Sequence, residues 1–256
     1  MRSNSALALV REPSTSPDLT LSVDELNKAF ALVSHATRAG FDVGSTFDLT
    51  WSPPTSGADV AAWSVTTTDG HRLTRFTSDR IGWFREPHTH AVALPGWVFD
   101  WIKRTSSNAD VRIRIDADGP IIVLPGHGTF RPEARKHSGV DHLLGGLHTR
   151  SKNDASHVRL HTEVRALFRE IDGEKRDHVG DSVFMGPLDD AGWTASWVDR
   201  PGRVGLDPSY LVDALKSLVR VAKEFDGPSI DARWAGRKDA VLFTAPHLLC
   251  VIMPRG

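Results

Sequence analysis

VGLDPSYLVDALKSL, residues Val204 to Leu218, decides how this chain is read. A short apolar run closes at Leu206. Asp207-Pro208 then supplies a helix start, a good cap followed by a proline at the first helical position, where its missing N–H costs nothing. Leu211, Ala214, Leu215 and Leu218, continued by Ala222, recur at the spacing of one helix face. A strand that runs straight into a capped amphipathic helix is the motif.

The motif occurs three more times, as LTLSVDELNKAF from Leu19, AVALPGWVFDWIK from Ala91 and VRLHTEVRALFRE from Val158. The strands close at Leu21, Leu94, Leu160 and Leu206. Ser22-Val23-Asp24-Glu25 fits a capping box, and Pro95 and Thr162 stand at the equivalent places less sharply. Leu26, Phe30 and Val33 form one apolar stripe; Val164, Leu167, Phe168 and Ile171 form another.

After each helix the apolar period shifts towards two. DLTWSP, AAWSVTTTD and RLTRFTSD follow the first helix, and DVRIRID, PIIVLP and GTFRP the second. SVFMG and TASWVD follow the third; SIDARWAG, AVLFTA and LLCVIMP follow the fourth. Gly, Pro and Asp punctuate them, as strand boundaries require. Each unit is therefore a strand, a helix and an antiparallel meander.

Four units predict an α+β chain of two similar domains, two units each, with helices on one face of antiparallel sheets. The break falls between Arg131 and Ser156, a polar stretch rich in Gly, Ser and His without sustained period apart from Leu143-Leu144. The expected division is a flexible tail at 1–18, a domain at 19–135, a connector at 136–156 and a domain at 157–256.

With 256 residues, 40% of them hydrophobic and 25% charged, the chain can bury a sizeable core. The formal net charge is -1, so any nucleic-acid contact has to come from local arrangement. The single cysteine, Cys250, excludes an internal disulfide and fits a reducing cytoplasm. The apolar patch Ala6 to Val10 is too short for a signal-peptide core, and no later run reaches membrane-spanning length.

Local arrangement is where the cations become informative. At about 100° per residue, Lys216, Arg220 and Lys223 fall opposite the apolar stripe of the last helix. Arg165 and Arg169 lie off the stripe of the third helix, as do Lys103 on the second and Lys28 and Arg38 on the first. Exposed helix faces carry Lys and Arg in any case, and Asp24, Asp100 and Glu224 are interspersed. Four equivalent helices with outward cations nevertheless predict a surface able to hold a phosphate backbone without reading sequence.

One turn stands out, TTTDGHRL from Thr66 to Leu73. Asp69-Gly70 is good turn chemistry, and His71 after it can serve the local backbone alone. Histidines elsewhere offer little: His88 and His90 alternate, and His157 and His161 straddle a strand end, without carboxylates at metal spacing. No nucleophile elbow, P-loop or dinucleotide glycine pattern is present; Gly126-His127-Gly128 reads as a turn and Gly145-Gly146 as connector. No enzyme, metal or cofactor is expected.

TDGHRL in a strand-turn-strand, LDPSYLVDALKSL before the final strands and the ending VIMPRG together resemble the bacterial DNA polymerase sliding clamp, from about Leu19 to Pro254. The resemblance implies a DNA-clamp fold, with the two domains matching the clamp's middle and C-terminal ones. It implies a groove for partner linear motifs, one wall being Thr68, Gly70, His71, Arg72 and Leu73. Val251, Met253 and Pro254 form the other, with Arg255 at the rim. The implied function is a processivity factor that encircles duplex DNA and docks polymerase and clamp loader, with no catalysis. Bacterial clamps have three domains per subunit and close as dimers. A six-domain ring of this chain would be a head-to-tail homotrimer, and the missing first domain leans towards a virus infecting a bacterium. Two other readings stay open: a non-ring adaptor that captures replication motifs, and a standalone duplex-binding module.

Overall fold

The structure is a computed structural model. It describes residues 18–36, 46–52, 62–78, 90–104, 109–133, 144, 146–147, 156–160, 164–174, 177–178, 180–188, 192–224, 230–234 and 237–255. At 156–160, 164–167, 187–188, 192–194 and 222–224 it describes the backbone only.

Each leading strand is followed in the chain by its helix. β1 (Asp18–Ser22) precedes α1 (Val23–Val33), and β5 (His90–Pro95) precedes α2 (Trp97–Lys103). β9 (Ser156–Leu160) precedes α3 (Val164–Glu174), and β12 (Val204–Leu206) precedes α4 (Pro208–Glu224). Ser22 accepts from the Glu25 amide while the Glu25 carboxylate accepts from the Ser22 N–H, completing the capping box. Asp207 accepts from the amides of Ser209 and Tyr210. At α2 the cap position is Gly96, which has no side chain to offer, and Pro95 is the last strand residue. Thr162 lies outside the described residues. Leu26, Phe30, Val33, Ile171, Leu211, Ala214, Leu215 and Leu218 are buried as their spacing predicts.

The meanders are β2 (Thr46–Ser52), β3 (Ala62–Thr68) and β4 (Arg72–Thr77); β6 (Asp110–Asp116), β7 (Gly119–Leu124) and β8 (Gly128–Phe130). In the second half they are β10 (Val183–Leu188) and β11 (Gly192–Ser196), then β13 (Ile230–Trp234), β14 (Val241–Ala245) and β15 (Leu248–Ile252). Sequence periodicity located all of them but could not pair them.

Pairing follows an exchange. Each leading strand joins the meander of the other unit in its half: β1 pairs with β6, β5 with β2, β9 with β13 and β12 with β10. Neither unit of a pair has a complete sheet alone, so the two must form together. The sheets are β1-β6-β7-β8, β11-β10-β12, and an eight-stranded β5-β2-β3-β4-β15-β14-β13-β9 that runs across both halves through the antiparallel pair β4·β15. Val92, Leu49, Val65, Phe76, Leu248 and Ala245 are successive cross-strand partners, giving one apolar row across that joint.

α1, α2 and α4 pack on the face of the eight-stranded sheet that carries this row, and α3 lies beside α4. Contacts place the helices in the order α2, α1, α4, α3. A short 3₁₀ turn at Ser34–Ala36 ends α1. Arg38 lies outside the described residues. No described helix is long and apolar enough to cross a membrane.

Candidate functional site: a turn-and-tail groove and a helix face

The turn between β3 and β4 is built by its own side chains. Asp69 Oδ1 accepts from the amides of His71 and Arg72, both at 3.0 Å, and Thr68 Oγ1 donates to the Arg72 carbonyl at 2.8 Å. Gly70 sits at φ +91°, a region other residues avoid. The tail joins this turn: Leu73 pairs with Val251 and Arg72 with Ile252, and the Met253 N–H donates to the His71 carbonyl at 2.8 Å. Sheet pairing thus unites two segments separated by most of the chain.

The nine expected groove residues then divide by environment. Thr68, Gly70, His71 and Met253 are exposed, Met253 by 42%, and Pro254 is half-buried. His71 stacks near Tyr210, ring centroids 6.4 Å apart. Leu73 and Val251 are buried instead, in a small apolar cluster with Ala240, Leu242 and Leu249, covered by Leu144 and Leu147 of the connector. Leu143-Leu144 was the one apolar interruption in that stretch, and this was the only sequence signal for the cover.

Arg72 and Arg255 serve the scaffold. Arg72 Nε donates to Asp69 at 3.1 Å and its Nη1 to Asp213 on α4 at 2.7 Å, with the guanidinium 4.4 Å from the Tyr210 ring centre. These bonds occupy two of its nitrogens and tie the turn to the other half of the chain. Arg255 donates to the carbonyls of Gly180 and Asp181 and reaches Asp207 at 3.3 Å, which anchors the tail.

Beside Arg72 a polar chain crosses the same joint. Ser217 Oγ donates to the Leu32 carbonyl at 2.9 Å, so it accepts from His35 Nδ1 at 3.0 Å; His35 Nε2 then accepts from Thr74 Oγ1 at 3.0 Å. The arrangement uses a neutral imidazole. Desolvation, then the Arg72 charge, hold the His35 pKa down to about 4. Cys250 lies next to Thr74, and burial pushes its thiol up to about 12.

On the helix side two clefts meet. One of about 660 Å³ lies between α1 and α4, lined by His35, Asp213, Lys216, Ser217 and Arg220. The other, about 430 Å³, is lined by Asn27, Phe30, Asp100, Lys103 and Arg220. Three expected DNA-facing cations, Lys103, Arg220 and Lys216, therefore border one trough across α2, α1 and α4, and all three are exposed. Lys28 pairs with Asp24 at 2.9 Å, and Lys216 is 3.8 Å from Asp213. Arg169 is exposed on α3. The side chains of Arg165 and Lys223 lie outside the described residues. Among the described residues no group of three or more metal-ligating side chains occurs.

This architecture superposes on solved structures over nearly its whole length. The DNA polymerase III beta chain of Streptococcus pneumoniae matches with a TM-score of 0.63, at 13% identity, over 100% of this chain and 69% of that one. The DNA polymerase sliding clamp of Caulobacter crescentus matches with a TM-score of 0.63, at 14% identity, over 96% and 67%. The chain has the sliding-clamp fold. The DNA polymerase III beta subunit of Pseudomonas aeruginosa gives a TM-score of 0.62 at 16% identity, over 96% of this chain and 68% of that one. The chain spans 64% to 69% of the length of these and similar clamp structures. No family model matches it, and no curated protein sequence does.

Proposed function

We propose that this protein is a DNA sliding clamp: a ring, a homotrimer of two clamp domains per subunit at 19–135 and 157–256, that surrounds duplex DNA and tethers a polymerase. The observation that carries the reading is the row of four helices, three of them packed on one side of a sheet that spans both halves, with Lys103, Arg220 and Lys216 along its trough. Cations balanced by nearby Asp100 and Asp213 attract phosphates without fixing a register, which suits sliding.

The mechanism requires no covalent chemistry by this chain. A polymerase held on the ring rebinds its template intramolecularly, at a raised effective concentration. Its linear motif docks beside the turn. There Met253 offers an adaptable apolar contact, His71 a polar one, and Leu144 and Leu147 a wall over Leu73 and Val251. Arg72 contributes by holding the turn. Loading of a closed ring would fall to a separate ATP-driven protein.

Light scattering across a concentration range tests the ring. A stable mass of three subunits is expected; a monomer at every concentration overturns the ring and favours an adaptor that captures replication motifs. Steep salt-dependent affinity for linear duplex would favour a conventional DNA-binding module instead. His71→Ala with Met253→Ala should weaken binding of a polymerase-derived peptide at least tenfold and leave the mass unchanged. Loss of both peptide binding and mass would refute the groove assignment.

A further inference from the structure

The apolar floor beside the turn is closed. Leu242, Val251 and Leu73 are successive cross-strand partners on β14, β15 and β4. Ala240 and Leu249 belong to the same cluster, on the sheet face turned away from the helices. None of the five is more than 3% exposed. Met253 and His71 at the rim are exposed. An incoming apolar side chain therefore finds the rim open and the floor occupied.

The occupant is the connector. Leu144 is buried in the cluster, 1% exposed, and Leu147 packs against it. Leu144, Gly146 and Leu147 are helical, and residues three apart on a helix share a face. The stretch from Arg131 to Ser156 is otherwise polar, with Val140, Leu143, Leu144 and Leu147 as its large apolar residues. Apolar anchors at helical spacing in a polar segment are what a helix-in-groove ligand carries. The chain thus holds in cis the kind of element that a partner would bring in trans. Leu144 is spent inward and leaves a partner no surface of its own to touch. Gly145-Gly146 stands between the two leucines, and Gly146 is exposed with open space around it. Glycine gains more backbone freedom on release than any other residue, which favours letting the segment go.

We infer that Leu144 and Leu147 form a displaceable plug: they occupy the place of a partner's apolar anchors, and docking expels them from Leu73, Val251 and Leu242. The inference rests on the groove reading and supplies its regulation. The plug is intramolecular, so it competes at a fixed effective concentration whatever the dilution. A site open in about one molecule in ten binds its partner about tenfold more weakly than an open one. Motifs with weaker apolar anchors than the plug are thereby rejected.

Leu144→Ser combined with Leu147→Ser separates a plug from a fixed wall. The polymerase-derived peptide, followed by fluorescence anisotropy, should bind the variant at least tenfold more tightly than the unaltered chain, while the urea midpoint falls. Stability and affinity then move in opposite directions. Equal or weaker binding to the variant overturns the plug and leaves the groove standing. Absence of binding to either chain sinks both. The second readout keeps both leucines: a nitroxide spin label on Gly146→Cys, a position with room for a side chain, while Cys250 is buried and takes no label. Peptide should narrow its spectrum as the plug leaves and gains motion. Broadening, or no change at saturating peptide, shows the cover still seated and overturns the inference.

Discussion

Gly70 shows how a single residue shapes the turn beside the tail. It holds the turn that places His71 opposite Met253, and it does so at φ +91°, with open space where a Cβ would stand. Gly70→Ala therefore meets no clash, and its cost is conformational alone, about 1–2 kcal/mol. Urea unfolding should show that loss, with partner-peptide affinity falling alongside it as the turn relaxes. Leu73 and Val251 show the opposite case. Their apolar character was legible, but whether they face a ligand or a cover depended on Leu144 and Leu147.

At the scale of elements, the turn and α4 are coupled through one guanidinium. Arg72 bridges Asp69 and Asp213; the guanidinium and Asp69 are largely shielded from water, while Asp213 is half-buried. Removing it strands the Asp69 carboxylate in a site built around a cation. Arg72→Ala should cost about 3 kcal/mol, whereas Asp213→Asn leaves the Arg72–Asp69 pair and should cost less. Arg72→Lys should not restore stability, since an ammonium cannot reach both carboxylates in the fork geometry. Comparing denaturant midpoints of the three variants decides this.

Across the whole molecule the joint between halves should be sensitive to acid. His35 is held neutral between Ser217 on α4 and Thr74 on β4, with Arg72, Asp213 and Asp69 the charges that act on it; Lys216 and Arg220 line the same cleft. Its folded pKa of about 4 lies below the 6.5 of the unfolded chain, so between those values the unfolded state binds more protons. Stability is full above pH 6.5 and declines as pH falls towards 4, by up to about 3 kcal/mol. Unfolding free energies at several pH values should show this decline. His35→Gln should flatten it, and an unaltered slope in that variant would assign the effect to other groups.

The sequence alone determined what is local. Caps at Ser22 and Asp207, apolar stripes at helical spacing and alternating runs located β1 to β15 and α1 to α4, because each signal lies within a few residues of its effect; the helical residues 144 and 146–147 of the connector and the 3₁₀ turn at Ser34–Ala36 carried no such signal. The motif pair TDGHRL and VIMPRG also pointed to one site. Tertiary structure alone decided the exchange of leading strands, the β4·β15 joint, the burial of Leu73 and Val251, and the use of Arg72 and Arg255 as struts. Those depend on hydrogen-bond pairing and side-chain contact between segments as far apart as residues 72 and 252, and a local period carries no information about such partners.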